Sequence, residues 1–153
     1  MKIGLFLMLT LVFGAFSVVG VKAQSADVMK TINQFVDGFN KGDVKSAVAA
    51  CAEQTSIIDE FPPHEWHGPN ACQNWANDYD ADAKKNGITD GVVKLGKPKH
   101  LDINVDRAFV VIPSSYIYKK KGRLIKQIGS AFTFVLHKES SGWKITGWSW
   151  ATN

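Results

Sequence analysis

The chain has 153 residues, 45% of them hydrophobic and 21% charged, with a formal net charge of +4 at pH 7. That length and balance describe one globular domain around a single core, and they exclude a second domain, a fibrous repeat or a disordered chain.

Two of the positive charges sit in an N-terminal segment shaped like an export signal. Lys2 forms the positive n-region, Ile3 to Val21 is apolar apart from Thr10, Ser17 and the glycines, and Val21-Lys22-Ala23 has the small-residue form of a cleavage site. The expected organisation is therefore a signal peptide at 1–23 and one mature domain at 24–153, exported to the periplasm or secreted. The other reading is a retained anchor, because the apolar run approaches the ~18 residues that span a bilayer; the glycines and the Val-x-Ala ending favour removal. Cleavage leaves 130 residues, and with Lys2 and Lys22 gone the formal charge falls from +4 to +2. Nucleic-acid binding loses its main warrant, and no membrane contact is expected after signal removal.

From Ala26 to Lys41 the residues Val28, Ile32, Phe35, Val36 and Phe39 recur at helical spacing, and Gly42 supplies the stop. Asp43 then stands as an N-cap for a shorter helix through Val44, Ala47, Val48 and Cys51. Ser56 to Phe61 reads as a short strand ended by Pro62-Pro63, followed by a crossing loop. Pro69 opens a third helix carrying Cys72, Trp75, Tyr79 and Ala83 on one face and stopping near Asn86-Gly87. Four long β segments complete the chain: Val92 to Val105, Ala108 to Tyr118, Leu124 to His137 and Trp143 to Thr152. Pro98 and Pro113 imply edge positions or bulges. Trp143 and Ile145 share one strand parity while Trp148 and Trp150 share the other, so either a bulge at Gly147 flips the register or both faces are buried.

Cys51 and Cys72 admit two readings. An oxidising compartment allows a disulfide across a loop of about 20 residues, contributing roughly 3 kcal/mol. Two buried thiols on apolar helix faces is the alternative.

This element order, with Phe35, Phe39, Gly42-Asp43, Ile57 to Asp59, Trp66 to Gly68 and Trp143 to Trp150, resembles the nuclear transport factor 2-like superfamily, in its SnoaL-like and ketosteroid-isomerase-like branches. The resemblance implies an α+β, cone-shaped half-barrel of curved antiparallel sheet with three N-terminal helices packed on it, often paired into homodimers through the sheet. It also implies a general base at the end of the first short strand, where Asp59 stands. The family's oxyanion tyrosine on the first helix is matched by Phe35, which has no hydroxyl. No acid on Ala131 to Val135 matches its protonated partner, so a steroid-type isomerase lacks its electrophilic half here.

The residues themselves offer further candidates. Asp59 could serve as a base raised by an apolar cavity, or cap the proline turn. His64 or His67 could complete an Asp–His dyad, but their spacing with Glu65 is not a metal motif, and no metal or cofactor is expected. Phe35, Phe39, Trp66, Trp75, Tyr79, Tyr116, Tyr118, Trp148 and Trp150 are candidate walls of a pocket for a small, largely apolar ligand, or alternatively plain core. Two functions remain: a ligand-binding cone with proton-transfer chemistry of an isomerase or lyase at Asp59, or a non-catalytic binding or dimerisation domain whose cone is filled by its own side chains.

Overall fold

The computed structural model describes residues 16–152, with side chains from Lys22 onward. The first helix, α1 (Phe16–Lys41), begins well before the expected Ala26, and no proline interrupts Phe16 to Ser25. Most of the expected signal, residues 1–15, lies outside the described residues, and residues 16–23 form the first turns of α1. Among the described residues no helix is long and apolar enough to cross a membrane.

Asp43 caps α2 (Val44–Ala49) by accepting the Ser46 N–H at 3.0 Å. This helix ends before Cys51, which instead opens β1 (Cys51–Ile58). The stretch expected as a crossing loop contains a second strand, β2 (Glu65–Pro69), paired antiparallel with β1. Pro69 therefore closes a strand, and α3 (Ala71–Asn86) starts after Asn70.

The four expected β segments are five strands: β3 (Ile88–Leu95), β4 (His100–Asn104), β5 (Arg107–Lys120), β6 (Arg123–Glu139) and β7 (Gly142–Ala151). The first expected segment splits at Gly96–Lys99, where β3 ends and β4 takes over the same edge of β5. Pro113 sits at that hand-over. Its carbonyl accepts the Gly96 N–H at 2.8 Å. In a strand the N and O of one residue point the same way, so the missing N–H faces the gap and no β5–β6 bond is lost.

The sheet runs β2-β1-β7-β6-β5-β3, with β4 beside β5. It is mixed rather than wholly antiparallel, because β1 lies parallel to β7. Register shifts in the β1–β7, β3–β5, β5–β6 and β6–β7 pairings curve it around the helices without closing it. The exposed edge of β3 is covered by Asn40 of α1, whose carboxamide accepts the Val93 N–H at 2.8 Å and donates to the Val93 carbonyl at 2.9 Å. One side chain thus satisfies the edge as a neighbouring strand would.

The tryptophan parity problem resolves through a bulge. Val135 pairs with Gly147 and Leu136 with Ile145, so Thr146 is the extra residue. Trp143, Ile145 and Trp148 consequently all reach the helix side, at 5%, 0% and 4% exposure. They meet Ile32 and Phe35 of α1 and the β5–β6 residues Val110, Ile112, Phe134 and Leu136 in one core. A Cys51–Cys72 disulfide ties the start of β1 to the start of α3.

Candidate functional site

Toward one end of this core the packing opens into a cavity of about 220 Å3. Helix α1 contributes Phe35, Val36 and Phe39, α3 contributes Trp75, Tyr79 and Asp82, and the segment after β1 contributes Asp59, Glu60 and Phe61. The sheet supplies Tyr116 and Tyr118 from β5, Gln127 and Phe132 from β6, and Trp148 and Trp150 from β7. At this end the cone is not filled by its own aromatics.

The rings hold one another in edge and tilted contacts. Trp75 stacks on Tyr79 at 5.7 Å and 25°, and meets Trp148 edge-on at 4.9 Å and 90°. Phe35 lies 5.9 Å from Trp75 and 5.7 Å from Trp148. Such contacts add to the burial energy and fix the shape of the wall.

Asp59 is placed by the turn that follows β1. Its N–H donates to the His64 carbonyl at 3.0 Å, and His64 N–H donates back to the Phe61 carbonyl at 2.9 Å, which folds Phe61 inward. The carboxylate accepts the Glu60 N–H on Oδ1 at 2.7 Å and the Trp75 indole N–H on Oδ2 at 2.8 Å. Both donors are neutral. Burial pushes the Asp59 carboxyl from its ordinary 3.8 up to about 6, with the indole and amide bonds pulling against it. That value suits a group that must accept a proton near neutral pH and release it again.

Two hydroxyls share the cavity with this carboxyl. Tyr79 of α3 and Tyr116 of β5 are hydrogen-bonded to each other. Burial drives both above the ordinary tyrosine value, and for Tyr116 the bond to Tyr79 adds to the rise. The pair bond uses one of the two hydroxyl hydrogens, so the other remains for a ligand atom. Gly91 of β3 makes room for the pair, because a Cβ there would run into the Tyr116 hydroxyl. Both phenols come from α3 and β5, whereas Phe35 on α1 offers none.

Three expected site residues stand outside the lining. Trp66 is buried behind Phe61, ring centroids 5.0 Å apart, with its indole N–H donating to Asp78 at 2.8 Å. His64 is exposed, and its ring lies 3.2 Å from the Asp59 carbonyl rather than its carboxylate. His67, also exposed, contacts Ser56 and Glu65. Neither imidazole forms a dyad with the Asp59 carboxyl. The expected lining residues that do meet on the cavity are Phe35, Phe39, Trp75, Tyr79, Tyr116, Tyr118, Trp148 and Trp150. Sequence reasoning missed Val36, Glu60, Phe61, Asp82, Ile88, Val93, Gln127 and Phe132 as lining. Gln127 faces inward because Gly129, skipped in the β5–β6 register, shifts the parity of β6. Among the described residues no group of three or more His, Cys, Asp or Glu side chains could hold a metal ion.

Helices against a curved, unclosed mixed sheet around an aromatic hollow define a cone of the nuclear transport factor 2-like class. The SnoaL-like domain family matches residues 28–149, and the chain belongs to that family. Solved structures of the same shape include a nuclear transport factor 2-like protein with a cystatin-like fold from Novosphingobium aromaticivorans, at 13% identity and TM-score 0.72, covering 89% of this chain and 86% of that one. A hexachlorocyclohexane dehydrochlorinase from Novosphingobium barchaimii aligns at 13% identity and TM-score 0.73, over 90% of this chain and 91% of that one. A ketosteroid isomerase-like protein from Erwinia carotovora atroseptica aligns at 16% identity and TM-score 0.65, over 83% and 94%. At these identities the likeness is one of fold. No curated protein matches the chain.

Proposed function

We propose that the mature domain, exported after removal of residues 1–23, holds a small, largely apolar molecule in its cone and transfers a proton at Asp59. The observation that carries this reading is the meeting of a buried carboxyl, raised to about 6, and a tyrosine hydroxyl pair on one aromatic cavity. In such a step Asp59 takes a proton from carbon. The C–H electron pair forms a double bond, and the charge either moves to an oxygen held by the free tyrosine O–H or leaves with a departing group. The first outcome is isomerase-like and the second lyase-like. The named dehydrochlorinase and isomerase-like relatives support this class. Their low identity leaves the substrate to be found by experiment.

Homodimerisation through the outer face of the sheet belongs to the same proposal. Phe109, Ile128 and Val135 are 42%, 66% and 41% exposed there, an apolar surface of the kind that pairs in water. Sedimentation of residues 24–153 as a dimer supports it, and a monomer at all concentrations refutes it.

The functional test is a search of small metabolites against residues 24–153 by native mass spectrometry and thermal shift. Any turnover found should disappear in Asp59→Asn while the fold persists. Turnover unchanged in Asp59→Asn refutes the base assignment.

A further inference from the structure

The charge around the cavity points to one class of ligand. Among the described residues its lining contains three carboxylates, Asp59, Glu60 and Asp82, and no lysine, arginine or histidine. This is the reverse of the whole chain, which carries a net +4. A ligand bearing a carboxylate or phosphate would enter an acidic hollow with no cation to receive it.

The three acids are not equivalent. Asp59 and Asp82 are both partly exposed and Glu60 is exposed, but the Asp59 carboxylate is taken up by the Trp75 indole and the Glu60 N–H. Glu60 is fixed in place by Thr152, whose N–H and hydroxyl both donate to its Oε1. Asp82 accepts from Asn86 at 3.0 Å. The opposite end is closed by Phe35, Phe132 and Trp148, which are 2%, 4% and 4% exposed. The cavity thus grades from an apolar aromatic floor to a mouth with two carboxylates and the stacked Tyr116–Tyr118 faces, 4.7 Å apart at 22°. Aromatic faces attract cations through their quadrupoles, and carboxylates add direct attraction.

We infer that the ligand carries a cationic group, an alkylated or aryl-alkyl ammonium, seated at the mouth against Glu60 and Asp82 while its apolar body enters the aromatic floor. This rests on the cavity reading above and leaves Asp59 to its proton-transfer role.

The test is a tryptophan-fluorescence titration of residues 24–153 with benzyltrimethylammonium and with neopentylbenzene, its uncharged carbon isostere. The cation should bind roughly tenfold tighter than the isostere. In the double variant Glu60→Gln and Asp82→Asn, which keeps both acceptors, that preference should fall to the small part that the aromatic faces and Asp59 supply, while affinity for the isostere stays unchanged. Equal affinity of the two compounds for the wild type overturns the inference and leaves the apolar cavity standing. A preference undiminished in the double variant overturns the assignment of the charge to the mouth. Failure of both compounds to perturb the tryptophans overturns the inference and the cavity reading together.

Discussion

The turn after β1 and the turn between β4 and β5 each set an aspartate beside a histidine, with opposite results. Asp106 stands on an exposed turn and lies 2.9 Å from His137 Nε2, with Arg107 at 3.8 Å; the hydrogen bond with His137 holds its carboxyl below the ordinary range. At Asp59 the neighbouring His64 is spent on a backbone carbonyl, and the carboxylate is left to an indole and an amide in a buried pocket. Proximity of an imidazole therefore decides little. What decides is whether the charged form keeps its water or an opposite charge, and Asp59 has lost much of the first while gaining only the weak pull of His64.

The strongest way to break this contrast is Asp59→Asn. Turnover should be abolished, and the variant should be more stable than wild type at neutral pH. Folding raises this carboxyl from 3.8 to about 6. Its contribution is therefore fully present below the unfolded value and lost as pH rises through the folded one, a decline on the order of 3 kcal/mol. Asn removes that slope, which urea melts across pH 4 to 7 will show. Reduction of Cys51–Cys72, or Cys51→Ser with Cys72→Ser, should cost about 3 kcal/mol in the same melts. It should also loosen Trp75 from Asp59, since the bridge joins the elements that carry them.

Trp75→Phe sharpens the contrast further. It removes the indole donor, so the Asp59 carboxyl should rise above about 6, and stability at neutral pH should fall by about 2 kcal/mol for an unsatisfied buried acceptor. Gly91→Ala should displace the Tyr116 hydroxyl and weaken binding of an oxygen-bearing ligand about tenfold, without moving Asp59. Isothermal titration checks this against Tyr116→Phe, which should match it. The smallest effect belongs to Asp106→Asn. Its lowered carboxyl adds stability above the unfolded value that is lost as pH falls through the folded one, so only acid melts should shift, and slightly.

Where the physics is local, the sequence was readable. Helix faces follow from Val28, Ile32, Phe35 and Val36, and the shifted parity of Trp143 against Trp148 anticipates the bulge at Thr146. Asp59 and eight aromatic residues of the wall follow from element order. The rest depends on partners distant in sequence. Glu65 to Pro69 is short and polar and becomes a strand only because β1 offers an edge. The parallel β1–β7 pairing joins segments some ninety residues apart. The Tyr79–Tyr116 pair requires α3 to lie across β5, and Gly91 marks it only once Tyr116 is placed above it. Trp66 reads as a wall residue by composition, yet the carboxylate of Asp78 draws its indole away from the cavity.

The central claim is that a buried, uncompensated carboxyl faces the cone. Carbon-detected NMR titration of the aspartate side chains measures it directly. A midpoint near 6 for Asp59 beside one below the ordinary range for Asp106 is the predicted result. An Asp59 midpoint at or under 3.8 would contradict it.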